Sequence, residues 1–351
     1  MGQFEYETAL SKLMTPEVVS ALGDIRELKG RTASLAKGNP EAFDALTEVA
    51  KIQSTSASNR IENISTSERR LRELMLQNAT PRNRDEREIA GYRYVLDMIH
   101  ESHDDIPLSS NVILQLHRDL YRFTGDSFAG RWKDSDNFIA ERTVDGEMVA
   151  RFIPTSAAGT PAAVERICAE YQRQITANKY DPLLVSLLFA FDFVSIHPFN
   201  DGNGRMSRLL TLLLMYRSGY DVGKYVSIEG EIERSKETYY EALAASSAGW
   251  QNGENDYEPF ISYMLGVVTA CYKELDTRFG VIATPVSNEK SVRAFFDRLI
   301  GTATKREIMD ANPGMSQRTL ERILSKLQRE GAIEKVGAAR ATSYKSVEGI
   351  S

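Results

Sequence analysis

The stretch HPFNDGNGR, from His197 to Arg205, gathers residue types that are useful beside a phosphate. A histidine moves a proton near neutral pH. Asp201 is a hard oxygen ligand suited to a divalent cation. Gly202, Asn203 and Gly204 let backbone N–H groups approach an anion, and Arg205 offers a planar fork of donors to phosphate oxygens. Arg208 follows three residues later, on the same face of any helix that begins here. Each residue taken singly also has a structural reading: a histidine at a helix end, an asparagine turn, a solvated arginine pair. Together, within twelve residues, they predict a nucleotide site.

The elements around the stretch must hold it. Asp181-Pro182 opens LLVSLLFAFDFVSI, which is apolar on nearly every face and predicts a surrounded central helix ending at His197. RMSRLLTLLLMYRSG predicts a second apolar helix, stopped by Gly219. The stretch is therefore expected in a loop at the N-terminus of the second helix, where free N–H groups and the positive end of a dipole favour anions. Helical patterning extends upstream: Thr15-Pro16-Glu17 is a helix start, EAFDALTEVAKIQ keeps the helical period, and RDEREIAGYRYVLDMIHE and SSNVILQLHRDLYRF are amphipathic. The exception is NFIAERTVDGEMVARFIP, a hairpin expected to turn at Asp145-Gly146.

The whole chain sets limits. Its 351 residues, 42% hydrophobic and 26% charged with a net charge of -6, describe a globular protein that is not built as a whole to coat nucleic acid or an anionic membrane. Cys168 and Cys271 give no disulfide framework and are expected as small apolar residues. The charged N-terminus is unlike a signal peptide and no stretch is apolar enough to span a bilayer, so the expected location is the cytoplasm, with no membrane partner. His100 and His103 in HESHDD lack cysteines or a clear third ligand for zinc, and are expected as a polar helix end.

HPFNDGNGRMSR resembles the signature of the Fic family, His-Pro-Phe-x-acid-Gly-Asn-Gly-Arg-x-x-Arg, with every fixed position filled. The resemblance implies a mainly α fold, a Fic-type helical core with one β-hairpin flap, and transfer of AMP from ATP to a Ser, Thr or Tyr hydroxyl of a target protein, self-modification included. His197 would be the general base and Asp201 the Mg²⁺ ligand. Gly202, Asn203 and Gly204 would bind the α- and β-phosphates, and Arg205 and Arg208 the outer ones, while Phe199 packs under the loop. Tyr239, Tyr240 and Leu243 resemble the family's adenine-side segment, against an alternative as core aromatics. The flap resembles its target-docking edge. Ser58, Glu62 and Asn63 resemble the inhibitory motif, whose glutamate pairs with the second arginine, here Arg208. Transfer of another phosphate-containing group, removal of AMP, and an ATP-sensing DNA-binding regulator stand as alternatives on the same scaffold.

A last pattern begins near VIATPVSNEK. Three short helical segments and a hairpin follow, which is the order of a winged helix-turn-helix. Residues 288–351 hold twelve Lys/Arg against eight Asp/Glu, so this segment is +4 and the remainder -10. Arg318, Arg322, Lys326 and Arg329 line one side of its presumed recognition helix, compatible with DNA or with a protein partner. The expected organisation is an N-terminal helical region (1–80) with the inhibitory motif, a catalytic core (81–283) and a small C-terminal winged-helix domain (288–351). A homodimer stays open.

Overall fold

The computed structural model describes residues 4–77, 79–142, 148–283, 302–311, 315–337 and 342–347, with single positions between 289 and 299. The fold is mainly helical, as expected, and divides into two compact units, Met1–Asp276 and Thr277–Ser351.

The first unit opens with α1 (Tyr6–Leu13), α2 (Pro16–Gly38) and α3 (Pro40–Ile61). Thr15 caps α2 by accepting the Val18 N–H, and proline occupies the first turn of both α2 and α3. The Ser/Thr/Asn-rich stretch that begins at Ser54 does not break the helix at once: α3 continues to Ile61, with Ser54, Thr55, Ser58 and Asn59 buried. Ser54 bonds Ser227 at 2.9 Å and the Asn59 NH₂ returns to the Thr55 carbonyl at 2.7 Å, while Thr55 Oγ1 and Asn59 Oδ1 are buried with no hydrogen-bond partner among the described residues. Next come α4 (Glu68–Leu76), α5 (Arg84–Ser102) and α6 (Ser110–Leu120), the last two capped by Asn83 and Ser109.

A two-stranded antiparallel hairpin follows, β1 (Ile139–Arg142) and β2 (Met148–Phe152), in register Arg142 to Met148. Its expected turn at Asp145-Gly146 lies outside the described residues. Then come α7 (Thr160–Ala177), α8 (Pro182–Ile196) and α9 (Asn203–Arg217). Asp181 caps α8 through the Leu183 N–H, and nearly every side chain of α8 and α9 is buried. This pair is the centre of the core, with α7 against α8, and α3 and α5 against α9. After α10 (Ile228–Arg234), α11 (Lys236–Ser247) and α12 (Glu258–Ala283), no helix among the described residues is long and apolar enough to cross a membrane. Residues 1–80 do not form a unit of their own, because α3 packs on α5 and α10.

The second unit contains β3 (Ala303–Thr304), α13 (Lys305–Asp310), α14 (Gln317–Arg329), β4 (Ile333–Val336) and β5 (Ser343–Ser346). Thr304 and Glu307 cap α13 reciprocally. The strands form an antiparallel sheet in the order β3-β5-β4. Its core joins Val292, Phe296, Ile308, Leu320, Leu324 and Tyr344.

Candidate active site at the start of α9

Between α8 and α9 the chain reverses tightly. His197 ends α8 in the left-handed region, at φ 52°, and Pro198 follows. The side chain of Asn203 closes the loop: its amide oxygen accepts the Phe199 N–H and its NH₂ donates to the Phe199 carbonyl, both at 2.8 Å. Gly202 takes φ 81°, and a Cβ there would lie 2.9 Å from the Tyr121 ring, so only glycine fits. Phe199 is buried beneath the loop, as expected, stacked on His117 at 3.7 Å. His117 is buried too. Its Nδ1 accepts the Gly130 N–H at 3.0 Å, which leaves Nε2–H to donate to the Asp201 carbonyl at 3.1 Å. Burial pushes the His117 pKa down to about 4, so α6 holds the loop with a neutral imidazole.

His197 is half-buried. Its Nδ1 faces the Val194 carbonyl at 3.3 Å, an atom that can only accept, so Nδ1 carries the proton and the Nε2 lone pair is left for another proton. Burial first, then the nearby Lys133 charge, pushes its pKa down to about 4, so the ring is a neutral base at pH 7. Lys133, only 3% exposed, straps the same turn: Nζ donates to Asn137 at 2.8 Å and to the Ile196 carbonyl at 3.3 Å, and its N–H donates to Pro198 at 2.9 Å. Burial lowers the Lys133 pKa to about 8.

The N-terminal region reaches the other side of the loop. Arg208, 4% exposed, donates from Nε to the Ser58 hydroxyl at 2.8 Å, and from Nη2 to the Ser58 carbonyl and the Glu62 carboxylate, both at 2.9 Å. Glu62 caps the C-terminus of α3, and Asn63 behind it takes φ 62°, a conformation that asparagine tolerates well. Burial alone would raise the Glu62 carboxyl; the charge and hydrogen bond of Arg208 outweigh it and hold the pKa below the ordinary value. Glu62 also lies on the first turn of α9, since a Cβ on Gly204 would come 2.1 Å from its Oε1. The α3 end is anchored by Arg60 on Glu233 and by Lys236 on the Ile61 carbonyl at 2.7 Å.

A family model described as Fic/DOC family matches residues 107–215, which span the hairpin, the loop and all but the last two residues of α9. The chain carries a Fic/DOC family domain. The protein adenylyltransferase fic-1 of Caenorhabditis elegans is 26% identical over 167 residues, 48% of this chain and 28% of that protein. The protein adenylyltransferase Fic of Culex quinquefasciatus is 34% identical over 178 residues, 50% of this chain and 30% of that protein. The matches thus span under a third of the length of these relatives. Among solved structures, a Fic family protein from Desulfovibrio desulfuricans G20 has a TM-score of 0.61 at 22% identity, covering 96% of this chain and 98% of that one. A Fic domain containing signaling protein from Bacteroides thetaiotaomicron also has a TM-score of 0.61, at 24% identity, covering 71% and 94%.

At two places the side chains lie otherwise than the sequence suggests. Arg205 does not reach out toward a ligand. It is 1% exposed, ion-paired with Glu88 at 2.8 Å and donating to the Tyr121 hydroxyl at 2.8 Å. Residues three apart on a helix diverge by about 60°, enough to send Arg205 toward α5 and α6 while Arg208 faces α3. Of the three residues expected beside an adenine, Tyr239 and Leu243 are buried, the former among Tyr240, Phe260 and Tyr263, and Tyr240 is half-buried.

Asp201 is 51% exposed, with Oδ1 accepting the Gly202 N–H at 2.7 Å. Its other oxygen, Oδ2, lies 3.9 Å from the Arg84 guanidinium. Among the described residues no three His, Cys, Asp or Glu side chains are grouped to hold a metal ion. His100 and His103 instead pack edge-on against Tyr216, at 5.4 and 5.6 Å. The motif reading missed His117, Lys133, Tyr121 and Glu88. Of these only His117 carried a signal, as a histidine inside the apolar pattern of α6.

Proposed function

We propose that this protein transfers AMP from ATP to a hydroxyl side chain of a protein, itself included, and that Glu62 restrains the reaction. The observation that carries the proposal is the convergence, at one helix N-terminus, of a neutral His197 with Nε2 free and a buried Arg208 whose present anionic partner is a carboxylate.

In the reaction the incoming hydroxyl gives its proton to His197 Nε2 and its oxygen attacks the α-phosphorus. The bond from that phosphorus to the bridging oxygen breaks, and pyrophosphate leaves. Backbone N–H groups at Asn203 and Gly204 lie where the positive end of the α9 dipole favours phosphates, while the Gly202 N–H is held by Asp201. Asp201 would hold Mg²⁺, which supplies charge neutralisation for the departing pyrophosphate. The hairpin edge offers main-chain pairing to an extended target segment.

Restraint follows from occupancy. Glu62 uses the same guanidinium that would bind the γ-phosphate, and its carboxylate lies over Gly204. ATP must displace it or bind out of line. Incubation with ATP and Mg²⁺, read by intact-protein mass spectrometry, tests the proposal. An added AMP on Glu62→Gly protein, absent when His197→Ala is also present, supports it. An added phosphate assigns the scaffold to another transfer, and no addition to any protein in a lysate removes the transferase.

A further inference from the structure

We propose that the second unit binds double-stranded DNA through one exposed face of α14, with Arg318 and Arg322 as its main phosphate contacts. On α14 the buried face is Leu320, Ile323, Leu324 and Leu327. At about 100° per residue, Arg318, Ser325, Arg329 and Arg322 fall within about 60° of one another, centred opposite that face. All four are exposed.

The structure revises the basic stripe visible in the sequence. Lys326 leaves it, turning aside to Glu289 at 2.7 Å and Glu330 at 3.8 Å. Arg329 hydrogen-bonds the Ser325 carbonyl through Nε at 3.3 Å. Arg318 and Arg322 have no partner among the described residues. The acidic residues of this segment are spent on the flanks, Glu321 on Lys305 at 2.9 Å and Glu330 on Arg293. What remains outward on α14 is cationic and polar: Arg318, Arg322, Ser325 and Arg329.

That pattern chooses between partners. A protein-docking face keeps apolar or aromatic side chains at its centre, and this face has none. A duplex asks for unpaired guanidinium groups on a rigid element that fits a groove about 12 Å wide. The thirteen-residue α14, about 20 Å long, meets that requirement. The short helix before it and the sheet β3-β5-β4 behind it are the frame from which such a helix enters the major groove. Arg318, near the N-terminus of α14, is placed to read a base edge or a phosphate, and Arg322 one turn later to hold the backbone.

The test is fluorescence anisotropy of a labelled mixed-sequence duplex with the full chain, from about 50 to 200 mM salt. The expected result is salt-dependent binding. In Arg318→Ala/Arg322→Ala the slope of log affinity against log salt should flatten by about 1.8, two contacts at about 0.9 each. Lys326→Ala should leave the slope within about 0.5 of wild type, because its ammonium is already paired. These side chains are exposed, so an unchanged circular dichroism spectrum is expected for each variant. Absence of binding at the lowest salt overturns the proposal. So does an unchanged slope in the double arginine variant, or a larger loss in Lys326→Ala. An absent duplex signal joined to a shifted oligomeric state in the arginine variant, read by light scattering, would assign the face to protein contact instead.

Discussion

Replacing Glu62 should make the protein less stable and more active at once. The contact is a single charge-assisted hydrogen bond at 2.9 Å between a buried arginine and a carboxylate whose side chain is 33% exposed. Such a bond is worth about 1.5–3 kcal/mol, and the partial exposure places it near the lower end. A unit of this size loses about 2 °C of melting temperature per kcal/mol, so the ligand-free protein should melt about 3 °C lower. The same loss frees Arg208 for the γ-phosphate and should tighten productive ATP binding by about tenfold, since 1.4 kcal/mol is a factor of ten. Glycine adds backbone freedom of its own, about 0.5–1 kcal/mol, so Glu62→Gln is the control: it removes the charge and keeps the shape. The assays are differential scanning fluorimetry with and without ATP-Mg²⁺, and AMP incorporation by intact mass. ATP should raise the melting temperature of both variants more than that of wild type. If both match wild type in ligand-free melting and in labelling across ATP concentrations, the restraint does not exist and Glu62 is a surface cap.

Four further outcomes follow from the geometry. His197→Ala should lower transfer by about 10²–10⁴-fold while ATP affinity by calorimetry stays within about threefold, because the ring acts on the hydroxyl; near-normal turnover would make it structural. His117→Ala removes the donor to the Asp201 carbonyl and the stack under Phe199, and should cost about 2–4 kcal/mol in urea unfolding together with most activity; unchanged stability would mean that the loop holds itself. Asp192, buried beneath Trp250 and Tyr257, has its pKa pushed up to about 7 by burial against the lowering effect of those donors. The folded state therefore binds the extra proton between about pH 4 and 7, and this group's contribution to stability is lost as pH rises through that window. The stability difference between Asp192→Asn and wild type should shift toward the variant from pH 5 to pH 8, and a pH-independent difference would refute it. Finally, truncation from residue 284 onward should leave the first unit folded and able to label itself, and insoluble product would show the second unit to be required.

How much of this was legible in the sequence differs from residue to residue. The turn at His197, the helix starting at Asn203 and the stop at Gly219 were readable, because caps, prolines and glycines act on backbone a few residues away. The pairing of Glu62 with Arg208 was reachable only through a resemblance, since 146 residues separate the two groups. The burial of Arg205 was not readable. A guanidinium in a phosphate motif looks available until Glu88 and Tyr121, on α5 and α6, are seen to enclose it. Lys133 likewise belongs to no pattern; its role comes from carbonyls that face it only after the α8 turn is formed. On α14, periodicity located the basic side correctly but could not say which cation Glu289 would claim.

The left-handed backbone at His197 has a consequence for how this chain tolerates change. An L residue held at φ 52° carries a conformational cost of order 1–3 kcal/mol that glycine avoids and asparagine partly avoids. The cost comes from the Cβ and not from the imidazole, so alanine would keep it and glycine would remove it. His197→Gly should therefore raise the unfolding free energy in urea, and an unchanged or lower value would show that the left-handed backbone carries no cost here.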